Sequence, residues 1–176
     1  MDPWLPLIGV ALGGVMSYGL TMLGDRQRHE RATVSSWREK KLASYAEFLR
    51  DAKRVRVISQ RVASEMGLES NAAPLVREDG LRLLAETETD RTLSFEVVCL
   101  LGSAETVLAG RELNRTVWAL ERSVRGLSSG ADASTWADAM ERYHRAIDNF
   151  NKCARRDLGI GGSYEDRPTE HWPTVA

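Results

Sequence analysis

A chain of 176 residues with 43% hydrophobic and 28% charged residues has the composition of a folded domain, and its formal net charge of −1 gives it no general affinity for nucleic acid. Cys99 and Cys153, its two cysteines, lie far apart and in no Cys-x-x-Cys or metal-ligand spacing, which speaks against a disulfide framework and suits a reducing compartment.

From Trp4 to Leu23 the chain carries no ionisable acid or base apart from Tyr18. About 20 apolar residues in a helix match a hydrocarbon core of about 30 Å, so residues 1–24 are expected to form a single transmembrane anchor. Pro6 falls in the first turn, where a missing N–H does little harm, and Trp4 suits the headgroup level. A cleaved secretory signal fits less well: no basic residue precedes the apolar run, Asp2 is acidic, and no small-x-small cleavage site follows.

Within the span, Gly9, Gly13, Ser17 and Thr21 recur every four residues and line one helix face with small side chains. Such a strip lets two membrane helices approach closely, so a homo-oligomer is expected through it, although glycine is common in membrane helices in any case. Orientation follows from the flanks: Arg26, Arg28, Arg31, Arg38, Lys40 and Lys41 follow the span, and an excess of Lys and Arg stays cytoplasmic. The expectation is therefore a cell-membrane protein with its N-terminus outside and its C-terminal domain in the cytoplasm. Residues 25–61 hold 11 Lys and Arg against 5 Asp and Glu, whereas residues 62–176 hold 13 against 19. Arg26, Arg28 and Arg31 are thus placed to meet anionic lipid headgroups, in a polar juxtamembrane helix over 25–36.

Asp25 to Met66 contains neither Gly nor Pro, so nothing stops the membrane helix from running on. Trp37, Tyr45, Phe48, Ala52, Val55, Val62 and Met66, with Leu49 and Ile58 beside them, mark one buried face that Gly67 ends. Leu68 to Asp79 reads as a connection, broken by Asn71 and Pro74. A second helix is expected over about Leu81 to Leu101, with Thr87 to Phe95 as its weak point because β-branched residues also suit a strand. Gly102 stops it and Ser103 caps a third helix, whose stripe is Thr106, Gly110, Leu113, Val117, Leu120, Val124 and Leu127 and whose end is expected near Arg125. After the small-residue turn Gly126 to Ala133, Ser134 is the expected cap of a fourth helix with Trp136, Met140, Tyr143, Ile147, Phe150, Ala154 and Leu158 inward and Gly159 closing it. Residues 160–176, with two prolines and no period, read as a flexible tail.

Four amphipathic segments joined by short links bury their stripes together. The expected fold class is all-α, an N-terminal transmembrane helix running into an up-and-down four-helix bundle over 37–159. A bundle invites a di-iron centre, but only Glu141 and His144 have the Glu-x-x-His spacing; Arg26 stands three residues before His29 and Pro168 three before His171. Gly126-Leu-Ser128-Ser-Gly130 matches Gly-x-Ser-x-Gly in letters, yet it follows a helix rather than a strand, and Gly159 to Ser163 lacks the Lys of a phosphate loop. The basic run Arg50, Lys53, Arg54, Arg56 and Arg61 has no interleaved aromatics and reads as a solvated helix side. Trp172 stands without a core role; it reads as a stray aromatic of the tail, with docking as the alternative. No catalytic, cofactor-binding or metal-ligating set is expected.

Trp37-Arg38 with Lys41, Tyr45-Ala46-Glu47-Phe48-Leu49, Val97 to Leu101 followed by Gly102-Ser103-Ala104-Glu105, and Ala154-Arg-Arg-Asp-Leu-Gly-Ile160 together resemble a pattern of small actinobacterial helical proteins without an assigned activity. The resemblance covers most of residues 37–160 and implies a helical domain with an optional membrane anchor. It carries over no catalytic residues. The expectation from residues and resemblance together is a non-enzymatic single-pass membrane protein whose bundle scaffolds or senses a protein partner, with membrane lipid as a second partner, no cofactor and no nucleic acid. The alternative is a toxin-like or phage-related effector that perturbs the bilayer through associated spans.

Overall fold

The structure is a computed structural model and describes residues 36–128, 130 and 132–165. The chain divides into two units, Met1–Lys40 and Lys41–Ala176. In the first, the described residues 36–40 are helical, and the Lys40 ammonium lies 5.2 Å from the centre of the Trp37 ring. Trp4 to Leu23, the strip Gly9, Gly13, Ser17 and Thr21, the basic residues Arg26, Arg28 and Arg31, and Trp172 lie outside the described residues. Among the described residues no helix is long and apolar enough to cross a membrane.

Four helices are described, and no strand is present among the described residues: α1 over 36–65, α2 Arg77–Leu101, α3 Ala104–Val124 and α4 Ala133–Asp157. Consecutive helices run antiparallel. The late α1 residue Val62 packs so close to Gly80 at the start of α2 that a Cβ on Gly80 would stand 2.1 Å from it, while early Phe48 meets late Phe95 with ring centroids 5.1 Å apart. Gly110 of α3 faces the same Phe95 and Phe150 of α4, leaving no room for a side chain between the two rings. Phe48 and Tyr45 in turn make edge-on contacts with Phe150 at 5.2 and 5.9 Å. One aromatic cluster therefore joins all four helices, and the Leu and Val stripes continue from it.

The expected stripes of α3 and α4 match the buried faces from Thr106 to Val124 and from Trp136 to Ala154, while Leu127 lies beyond α3 and is exposed. On α1 the buried face starts at Ser44 and Tyr45; Trp37, expected to open it, is 51% exposed. The α4 cap is a correction. Asp132, not Ser134, takes it: its carboxylate accepts the Thr135 N–H at 2.8 Å while the Thr135 hydroxyl accepts the Asp132 N–H at 2.9 Å, a reciprocal box that starts the helix two residues earlier.

α2 departs furthest from expectation. It begins at Arg77 rather than Leu81, and its buried stripe is Gly80, Leu84, Thr87, Arg91, Ser94 and Val98, half of it polar. The hydroxyls are satisfied within the helix, Thr87 donating to the Leu83 carbonyl at 2.8 Å and Ser94 to that of Arg91 at 3.2 Å. Arg91, 6% exposed, donates to the Asn114 side-chain oxygen of α3, and its Nε has no partner among the described residues.

Polar fasteners close both ends. Arg77 donates from Nε to the Val124 carbonyl and from Nη2 to the Arg125 carbonyl, both at 2.9 Å, so a cation sits on the free carbonyls that end α3. At the same end, the Trp136 indole N–H donates to Glu69 of the α1–α2 link at 3.2 Å. At the other end Asp157, its side chain 9% exposed, accepts from Lys41 Nζ at 2.9 Å, from the Ser103 backbone N–H at 2.9 Å and from the Tyr45 hydroxyl. Burial pushes the Asp157 carboxyl up, but the hydrogen bonds from Tyr45, Lys41 and Ser103 and the charge of Lys41 outweigh it and hold the group below its ordinary 3.8. Burial first, then the hydrogen bond and charge of Asp157, push the Tyr45 phenol well up, so it stays a donor. Beyond α4, residues 160–165 remain against the helix: Tyr164 donates to Asp148 at 2.9 Å and accepts from Asn151 at 3.1 Å.

Because the folded chain holds the Asp157 proton more weakly than the unfolded chain, this stabilisation is complete above the ordinary carboxylate range and is lost as pH falls through the lowered value. Asp157→Asn should lower the unfolding free energy at pH 7 by about 1–3 kcal/mol and flatten its fall below about pH 4. Urea titrations at pH 7 and pH 3 check this, and an unchanged acid slope sinks it. Replacing Arg91 and Asn114 together by Met and Leu removes a buried cation and its lone neutral acceptor, and should raise stability by about 1–3 kcal/mol. A lower urea midpoint for that double variant would count against the account of α2.

Candidate anion-binding cleft

Opposite its buried stripe, α3 carries Glu112, Arg115, Trp118 and Arg122 at steps of three, three and four, which places them along one outer face. On α4 the residues turned toward that face are Thr135, Ala139, Arg142, Ala146 and Asn149, again three and four apart. Ala119, Ala139 and Ala146 are small, so long side chains stand as walls over a shallow floor. The result is a cleft of about 330 Å³ lined by Arg115, Trp118, Arg122 and Arg142, with Ser123, Ser128 and Thr135 at its loop end. A second hollow of about 320 Å³ shares Arg142 and continues past Glu112, Arg145 and Asn149.

Charge is unevenly matched here. Arg115 pairs with Glu112 at 2.8 Å and Arg145 with Glu141 at 2.7 Å, both on the exposed surface. Arg122 stacks on Trp118 at 5.7 Å from the ring centre. Neither Arg122 nor Arg142 has an ion pair among the described residues. Trp118 is 52% exposed, an apolar surface set among guanidinium groups. The N-terminal amides of α4 nearby are already taken by Asp132, whose carboxyl is lowered by the Thr135 backbone and the Ser134 and Thr135 hydroxyls. Attraction for an anion in this cleft therefore comes from side chains. Guanidinium groups stay protonated at any physiological pH and present forked donors that match carboxylate and phosphate oxygens. Guanidinium groups so placed can neutralise and hold the oxygens of an anion.

None of these residues stands out in the sequence, where residues 62–176 are acidic on balance. The available signal was the spacing of Arg115, Trp118 and Arg122 on the side of α3 away from its apolar stripe. The basic run that does stand out is largely consumed within the fold: Arg50 pairs with Glu47 and Asp51, Arg54 with Asp90, Arg56 with Gln60, and Arg61 donates to the Ala73 carbonyl. Glu141 lies on the surface with Arg145 and contributes nothing to the bundle interior, and His144 stacks edge-on against Tyr143. Among the described residues no group of three or more His, Cys, Asp or Glu is placed to hold a metal ion. Ser128 lies in the link between α3 and α4, whose Gly126 and Gly130 take left-handed φ of 72° and 71°, and no strand leads into it. Cys99 and Cys153 are free thiols, and burial, then the Glu96 carboxylate, push the Cys99 thiol up.

Because Arg122 and Arg142 project from the surface, reversing their charge should leave the bundle intact. Arg122→Glu and Arg142→Glu are expected to keep the far-UV circular dichroism of the parent and to change unfolding free energy by less than about 0.5 kcal/mol. A loss above about 2 kcal/mol would mean that these residues serve the fold. Compared with protein-family models, with curated proteins and with solved structures, the chain matches none, so the reading of this cleft rests on its own geometry.

Proposed function

We propose that this protein is a membrane-anchored binding module, held by Trp4 to Leu23 with its bundle in the cytoplasm, and that the bundle docks an anionic partner in the cleft between α3 and α4. The observation that carries the reading is the pair Arg122 and Arg142, which have no ion pair among the described residues, set beside the half-exposed Trp118. Surface arginines in this bundle mostly find a carboxylate or carbonyl nearby, so two that do not, in one concave place, mark where an outside anion gains most. Apolar length and the basic flank support the anchor and its direction, and Gly9, Gly13, Ser17 and Thr21 supply a surface through which two copies associate. The role is binding, not catalysis.

A photo-crosslinking residue placed at Ser128, on the rim of the cleft beside Trp118 and Arg122, tests the whole reading in intact cells. A discrete adduct is expected in the membrane fraction, lost with Arg142→Glu, and displaced to the soluble fraction when residues 1–24 are deleted. Labelling at Ser128 no greater than at exposed Ala43 on α1 would refute docking, and retention of the truncated chain in carbonate-washed membranes would refute the anchor.

A further inference from the structure

The geometry of the cleft points to its occupant: an extended acidic peptide segment of a partner protein, laid along the α3–α4 groove with carboxylates on the arginines and an apolar side chain on Trp118. This rests on the reading of the cleft as the docking surface and adds the ligand class. The first argument is shape. Two hollows of about 330 and 320 Å³ share Arg142 and follow one another along the same helix pair, from Thr135 to Asn149 on α4. At 1.5 Å per helical residue that run is about 20 Å long, the length of about six residues of extended chain. A small anion would use one end of it.

The second argument is how the charges are distributed. Arg122 stands on the α3 wall and Arg142 on the α4 wall, neither with an ion pair among the described residues, while Arg115 and Arg145 beside them are already paired with Glu112 and Glu141, so an uncommitted cation flanks the groove on each side. Successive side chains of an extended strand point to opposite sides, so alternate carboxylates of one acidic segment reach opposite walls. Glu112 is the acidic residue lining the groove, and Arg115 already neutralises it at 2.8 Å. Trp118, with Arg122 on one face, offers the aromatic platform on which such interfaces anchor.

The test uses the full chain in nanodiscs of zwitterionic lipid, which gives the basic flank no anionic surface. Fluorescence anisotropy of a fluorescein-labelled hexaglutamate peptide ending in Leu is read at low and at physiological salt. Binding is expected to weaken as salt rises, by about fivefold or more with Arg142→Glu and about tenfold with Trp118→Ala, and to be unaffected by Arg54→Glu on α1. The corresponding hexaglutamine peptide should not bind. Because Arg142 and Trp118 are exposed, circular dichroism of both variants confirms that the fold is kept. If adenosine monophosphate or inorganic phosphate binds with the same dependence on Arg142 while the peptide does not, anion docking stands and the peptide assignment falls. Should none of the three bind, both fall. Peptide binding indifferent to Arg142 and Trp118 lies elsewhere on the chain and overturns the assignment as well.

Discussion

Asp157 is the contact on which the arrangement of the helices depends. It stands at the last residue of α4 and accepts donors from the start of α1 and from the residue that caps α3. Leu, Val and aromatic stripes make the helices adhere, and the close fits at Gly80 and Gly110 suit one register, to which polar contacts at the ends add direction. A mostly buried carboxylate with three donors from two other segments has one satisfactory position, so it fixes the register at this end. Arg77 on the carbonyls of α3 and Trp136 on Glu69 do the same at the other end. Between them the Phe48, Phe95 and Phe150 rings close over Gly110, a fit that holds in the same register.

The legible part of this fold is the part written in apolar letters. On α3 and α4 the stripe from Thr106 to Val124 and from Trp136 to Ala154 follows directly from the helical period, and Tyr45 to Val62 does so on α1. The stripe of α2 escapes such reading because Thr87, Arg91 and Ser94 are polar by type and buried by circumstance. Whether they go inside depends on carbonyls one turn back and on Asn114 of another helix, neither of which a periodicity argument weighs. Asp132 and Ser134 are both able cap residues two positions apart, and the backbone decides between them: Asp132 is extended at φ −127° and ψ 177°, and Thr135 stands three residues on to complete the box.

The cleft was illegible for a related reason. Charge in a sequence is counted along the chain, whereas charge at a surface is what remains after neighbours have paired. The run from Arg50 to Arg61 is conspicuous in the letters but quiet in the fold, since Glu47, Asp51, Asp90, Gln60 and the Ala73 carbonyl take up its guanidinium groups. Arg122 and Arg142 are inconspicuous, twenty residues apart in an acidic half, yet they share one hollow because α3 and α4 run antiparallel over alanines. Local potential, not net charge, decides where a counter-charge settles.

The polar stripe of α2 also bears on how the bundle moves. Lifting α2 away exposes less apolar surface than lifting α3 or α4, and it returns Arg91, Thr87 and Ser94 to water, where they are well solvated. Sub-global opening of this domain should therefore run through α2, with α1, α3 and α4 remaining joined at Tyr45, Phe150 and Asp157. The α3–α4 groove lies on the pair that stays closed, so the proposed docking surface keeps its shape while α2, on which it does not depend, opens and closes.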